Sequence, residues 1–344
     1  MKHKIFLIIA VIALIITNSC KDNGTGPETL EPGRRDYVWT VDTINPGQES
    51  LYLGRIWGSS PDDVWAVGTS SWTATSIWHY DGLGWRCDSI PRKINPTAIF
   101  GISKNEVWLG NGNSTIWKYD GTQWQQFGEY KYEGFDRICI NYLDGITTAD
   151  IYGIGFTDVY NSNAYKAVMM RYNGYNWEFV SLPEIKASFE TMAIEHSSRV
   201  LVISGMVYDP KGFIAKIYCW DGKELKELLS DNGNSFITKL GEEIYATNNN
   251  KIYKYSDKRL TLWKDNTGTA INGNIICGRS RNDFFIGAVD GIAHYNGADF
   301  NVLFKNTLQH SIEIMGGKIF TKDVIFIAVD FTIGKNLIIH GKLK

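Results

Sequence analysis

The feature that most constrains this chain is a short element, Tyr-Asp-Gly-x-x-Trp, that returns along it. Full copies run from Tyr80 to Trp85 (YDGLGW), Tyr119 to Trp124 (YDGTQW) and Tyr172 to Trp177 (YNGYNW). Looser copies start at Trp220 (WDGKEL), Tyr255 (YSDKRL) and Tyr295 (YNGADF), and a truncated one reads Ile339, His340, Gly341. Asp-Gly and Asn-Gly accept the positive φ of a tight two-residue turn, so each copy predicts a hairpin between antiparallel strands.

A second pattern precedes the hairpins and is clearest in RIWGSSPDDVWAVG, residues 55–68, where Gly58 and Trp65 bracket a polar turn. The same spacing recurs in Gly101 and Trp108, Gly145 and Tyr152, and Gly278 and Phe285. Each unit therefore holds a strand, a turn, a second strand, a variable loop and then the hairpin. Four strands per unit, with hairpins roughly forty to fifty residues apart, match the blades of a propeller. The expected fold is all-β: a seven-bladed β-propeller of four-stranded antiparallel blades over residues 37–344, with six blades as the alternative because the unit from Ile312 is the least regular. The last unit ends at Lys344 without a fourth strand. Trp39 to Ile44 (WTVDTI) matches the fourth strand of the first unit, Trp85 to Ile90 (WRCDSI), so the N-terminal strand is expected to close the ring and hide an edge that would invite aggregation.

Residues 1–19 read as a signal peptide: Lys2, His3 and Lys4 precede an apolar run from Ile5 to Ile16, too short for a permanent span. The run ends at Thr17, Asn18, Ser19 and Cys20, and a Gly-rich charged stretch follows. This arrangement resembles the lipoprotein signals common in Bacteroidetes, with Thr17 where an aliphatic residue is usual. The resemblance implies lipidation of Cys20, a flexible tether over residues 20–36, and an outer-membrane lipoprotein facing the periplasm or the cell surface. Lys and Arg number 35 against 37 Asp and Glu, with no basic block, so nucleic acid is not an expected partner. Cys87, Cys139, Cys219 and Cys277 are far apart and lack metal-ligand spacing; burial or a single disulfide both fit them.

RIWGSSPDDVWAVG followed by HYDGLGW (residues 79–85) resembles bacterial propeller lipoproteins whose blades repeat Trp-Gly-x-Ser-x-x-Asp-Val-Trp-Ala-Val-Gly. More distantly it is similar to the periplasmic sensor propellers of two-component regulators. The likeness is strongest in the first two units and implies fold more securely than function.

No phosphate-binding glycine loop, nucleophile elbow or His-Glu-x-x-His is present, so no cofactor, metal or catalytic residue is expected. His79 and His294 share one repeat position and read as structural; Asp63, Asp150, Asp283 and Asp323 share another and read as caps of their own turns. Function is expected on one face. Loops joining second to third strands, and one unit to the next, leave a propeller on the same side, and the insertions concentrate there: TSSWTATS (69–76), GEYKYEGFDR (128–137), FTDVYNSNAYK (156–166) and MVYDPKGFIAK (206–216). They are rich in Tyr, Asn, Asp and Gly, which suit recognition. The expected ligand-binding residues are Trp72, Tyr130, Tyr132, Tyr160, Tyr165 and Tyr208, in a monomer that takes a glycan or an envelope protein. Two alternatives stand beside this reading: a carbohydrate-active lyase or hydrolase using Glu133, Asp158 or Asp209 at the central channel, and an envelope scaffold.

Overall fold

Every strand that the repeat predicts is present. The computed structural model describes residues 31–44, 50–71, 73–159, 165–209, 212–307 and 310–344. Among the described residues the first strand is β1 (Tyr37–Ile44). The first unit follows with β2 (Leu51–Ser60), β3 (Asp63–Ser70), β4 (Ile77–Tyr80) and β5 (Trp85–Cys87). Next come β6 (Pro96–Ser103), β7 (Glu106–Asn111), β8 (Thr115–Tyr119) and β9 (Trp124–Glu129), then β10 (Arg137–Thr147), β11 (Asp150–Asp158), β12 (Tyr165–Tyr172) and β13 (Trp177–Phe179). The fourth unit is β14 (Ser188–Glu195), β15 (Val200–Asp209), β16 (Gly212–Trp220) and β17 (Leu225–Asn232). β18 (Ser235–Leu240), β19 (Glu243–Asn248), β20 (Lys251–Ser256) and β21 (Arg259–Asp265) lead to β22 (Ile271–Ser280), β23 (Asp283–Ala288), β24 (Gly291–Tyr295) and β25 (Phe300–Lys305). β26 (Ile312–Ile319), β27 (Asp323–Asp330) and β28 (Lys335–Leu343) end the chain.

The hydrogen bonding corrects the expected number of blades. Neither seven nor six separate four-stranded blades are found: five stand alone as four-stranded antiparallel sheets, and the other eight strands form one sheet, ordered β21-β20-β19-β18-β22-β23-β24-β25. Its two halves meet through a parallel pair, Leu240 with Gly278, between the inner strands β18 and β22. Wedge-shaped blades converge toward a channel, so neighbouring inner strands come close enough there to bond. A count of hairpins cannot register that contact.

β1 takes the outer place of the last sheet, pairing antiparallel with β28 from Tyr37 opposite Leu343 to Ile44 opposite Asn336. Trp39 faces Gly341, the place where the other hairpins carry the aromatic that pairs with their tryptophan, as Tyr80 does with Trp85. The missing side chain makes the room: a Cβ on Gly341 would lie 2.7 Å from the Trp39 ring. Trp39 then packs edge-on against Phe285 and tilted on Phe304.

The second strand of each unit shows why the sequence looks as it does. It lies between two sheet-to-sheet interfaces, so both faces are buried and the run reads as continuously apolar. In β3, Val64 and Ala66 enter a core with Ile325, Ile327 and Ile338 of the last sheet, while Trp65 and Val67 enter another with Val107 and Leu109 of the next. All eight residues of β27 are buried for the same reason. Each large apolar side chain withdrawn from water contributes about 1.5–3 kcal/mol, and half of the twelve tryptophans do this: Trp57, Trp65, Trp108, Trp124, Trp177 and Trp220 are all buried. The four cysteines described are free, and burial pushes the thiols of Cys139 and Cys277 up to about 11 and about 12.

The inner strands are irregular at one recurring place. β2, β6, β10, β14 and β26 each insert one extra residue opposite the second strand, at Gly54, Thr97, Asn141, Glu190 and Met315. In β3 and β11 the residue beside the bulge is a glycine, and it has to be: a Cβ on Gly68 or Gly155 would sit 1.9 Å or 1.8 Å from the carbonyl oxygen of Tyr52 or Cys139. The final glycine of the WAVG motif is thus the mark of a bulge that turns an extra residue toward the channel. β18 carries no bulge. β22 departs the other way: Ile271 pairs with Ala288 and Ile276 with Ile286, so residues 272–275 all lie opposite Gly287 alone.

Candidate functional site

The turn-face residues have structural work. His79, His294 and His340 donate through Nε2 to Asp63, Asp283 and Asp323 at 2.6, 2.8 and 2.7 Å. Glu106 with Lys118, Asp150 with Arg171 and Glu243 with Lys254 fill the equivalent places in other units. The aspartates are therefore not caps of their own turns, as their position suggested, but latches from the start of the second strand onto the third. Burial alone would raise the carboxyls of Asp63 and Asp283; hydrogen bonds from His79 and Ser59, and from His294 with Arg279 beside it, outweigh that and hold both below the usual carboxylate range.

On the opposite face, two of the expected binding residues come together. β11 ends and β12 begins at Asp158 opposite Tyr165, and near the facing ends of β15 and β16 Tyr208 lies opposite Phe213. These ends rise side by side, and the Tyr208 amide donates to the Tyr165 hydroxyl at 3.0 Å. Between them lies an apolar groove of about 220 Å³ lined by Phe156, Tyr165, Ser188, Met206, Tyr208 and Phe213. Tyr208 and Phe213, 54% and 55% exposed, meet edge to face with centroids 5.8 Å apart. One cation flanks the groove: Lys186 holds its ammonium 5.5 Å from the Tyr165 ring and is not ion-paired among the described residues, whereas Lys166 lies 4.2 Å above Tyr132, away from the groove.

The other expected residues fare differently. Tyr132 packs edge-on against Phe179 with centroids 5.0 Å apart and against Phe135, at the outer rim of the third unit. Tyr130 is half-buried against the core around Trp108 and Trp177; burial raises its phenol, tempered by a hydrogen bond with the Trp177 main chain. Both fill the seam between outer strands. Trp72, Tyr160 and Cys20 lie outside the described residues, as does the signal peptide. Of the carboxylates considered for catalysis, Asp158 is gripped by Arg137 through two bonds of 2.8 and 2.7 Å, Glu133 is exposed, and the Asp209 side chain is outside the description.

A second hollow, at the channel mouth, was not legible in the repeat. The break in β22 opens a cavity of about 360 Å³ bounded by Arg55, Phe236, Asn272, His310, Glu313 and Met315 among others. A smaller hollow next to it, also lined by Arg55 and Met315, is bounded by Tyr142, and burial pushes its phenol up to about 12.

No family model and no curated protein matches this sequence. Solved structures do. A structure described as YCF48 bound to D1 peptide superposes with a TM-score of 0.61 at 11% identity, covering 89% of this chain and 95% of that one. YCF48 from Cyanidioschyzon merolae matches at 0.57 and 10%, covering 87% and 98%. The WD40 β-propeller domain of Doa1 matches at 0.58 and 11%, covering 90% and 98%. This chain has a β-propeller fold. At such identities the likeness extends to the fold alone.

Proposed function

We propose that this propeller is a cell-envelope binding module, tethered to the outer membrane through lipid on Cys20, that holds a short peptide segment of a protein partner in the groove between β11–β12 and β15–β16. The observation that carries the reading is the exposed Tyr208 and Phe213 pair standing over an apolar hollow, because exposed aromatics around a pocket are the usual anchors of recognition. The groove takes one apolar or aromatic side chain. Lys186 favours an acidic residue beside it, since opposite charge at the rim selects register and partner. That a propeller of similar fold is described as bound to a peptide is in keeping with this use.

A display selection from random peptides tests the proposal. Enriched sequences should carry an aromatic or branched aliphatic residue next to Asp or Glu. Their affinity should drop about tenfold or more in Tyr208→Ala/Phe213→Ala, and weaken with added salt. Enrichment of basic peptides, or affinities indifferent to the double substitution, would remove the groove as the site.

A further inference from the structure

The channel-mouth cavity is distinct from the peptide groove and is built by a departure from the repeat. Where most inner strands bulge by one residue, β22 lets residues 272–275 leave the ladder opposite Gly287, and Asn272 comes out exposed at the cavity wall. A Cβ on Gly273 would fall 2.4 Å from the Gly287 backbone, so the excursion closes tightly behind itself. The sequence around it, Ile-Asn-Gly-Asn, is the kind of Asn-Gly interruption that marks such a break.

Two polar groups of the cavity, His310 and Arg55, are held in place. Asp330, whose side chain is wholly buried, accepts the Nδ1–H of His310 at 2.7 Å and the amides of Thr332 at 2.9 Å and Ile333 at 3.3 Å. Burial alone would raise this carboxyl; the His310 bond and the two amides outweigh it and keep Asp330 ionised. His310 is thereby oriented, and Nε2, which makes no hydrogen bond among the described residues, is left as its remaining polar atom at the cavity wall. Arg55 is fixed from below: its guanidinium donates to the carbonyls of Asn141 at 3.3 and 3.2 Å and of Gly54 at 3.1 Å. Three of its five N–H groups are engaged in this way. Glu313 balances its charge across the same hollow. The groups that remain are an amide on Asn272, an acceptor nitrogen on His310 and a carboxylate on Glu313, set beside the Phe236 ring and Met315.

We propose that this cavity binds a neutral saccharide. A sugar presents hydroxyls that both donate and accept, and a C–H face that lies on apolar surface; amide, imidazole and carboxylate groups beside an aromatic ring match it, and a ligand of single charge would meet a like charge at one wall. About 360 Å³ falls in the range of small-molecule sites, about 300–1,000 Å³.

Saturation-transfer NMR with purified full-length protein and a panel of mono- and disaccharides (glucose, galactose, mannose, N-acetylglucosamine, cellobiose, maltose) tests this. At least one sugar should show saturable transfer. His310→Ala and Asn272→Ala should each weaken it about tenfold, the effect of leaving one pocket hydrogen bond unmade, while Tyr208→Ala/Phe213→Ala in the groove leaves it unchanged. Asn272 is exposed, so that variant keeps its fold. The proposal is overturned if no sugar in the panel binds at millimolar concentration, if charged amino acids bind in its place, or if binding survives both cavity substitutions. A sugar site lost with the groove variant instead would overturn it too, and would leave the groove as the shared surface.

Discussion

Asn336 offers the sharpest test of how the two ends of the chain are joined. Its side chain is buried and reaches from β28 to β2: the Leu53 amide donates to Oδ1 at 2.9 Å, and Nδ2 donates to the Leu51 carbonyl at 2.9 Å. Asn336→Ala removes both bonds and leaves a buried N–H and a buried C=O without partners at the seam between the last sheet and the first. Each such group costs about 1–3 kcal/mol. With some relaxation the expected loss is about 3 kcal/mol, a large share of the roughly 5–15 kcal/mol that holds a domain folded. Urea unfolding followed by tryptophan fluorescence should show the midpoint lowered by about 1 M, given a slope near 3 kcal/mol/M. Asn301→Ala, exposed on the outer strand β25, should move it little. A loss below about 1 kcal/mol for Asn336→Ala would refute the reasoning, because the seam would then not depend on these bonds.

Other outcomes follow from the same geometry. Asp63 and Asp283 have carboxyls held below the unfolded value, so their contribution is complete above about pH 4 and is lost as pH falls through the folded value; Asp283→Asn should flatten the fall in urea midpoint below about pH 4 relative to the unaltered protein. Gly155→Ala would press a methyl group onto the Cys139 carbonyl oxygen and should cost about 1–3 kcal/mol or more in thermal unfolding, whereas Gly84→Ala, with open space around it, should be close to neutral. Tyr132→Ala should lower stability by removing its contacts with Phe179 and Phe135 while leaving peptide affinity unchanged.

What could be read in the sequence depended on whether a residue acts locally. Turn residues such as Asp81-Gly82 report their own hairpins, because Asp81 accepts the amides of Leu83 and Gly84 in that turn. Alternation and continuous apolar runs report burial. The match of WTVDTI to WRCDSI was legible for the same reason, since both strands lie outermost beside a hairpin strand. The Leu240 and Gly278 pairing was not, because contact between inner strands depends on how far the blades splay. Tyr130 and Tyr132 were misplaced because a loop's exit face says nothing about its distance from the axis, and theirs runs along the outer rim. Tyr165 and Tyr208 were legible as members of neighbouring insertions on one face. His310 was hidden in an irregular segment, and its partner Asp330 lies a strand away.

The aromatic groove is the proposed place where the propeller meets its partner. Hydrogen–deuterium exchange of the full-length protein, with and without its best display-selected acidic aromatic peptide, tests this directly. New protection should be confined to the facing ends of β11, β12, β15 and β16, around Phe156, Tyr165, Met206 and Phe213. Protection at the channel mouth, along β1, or on the face of the Asp-Gly turns would contradict it.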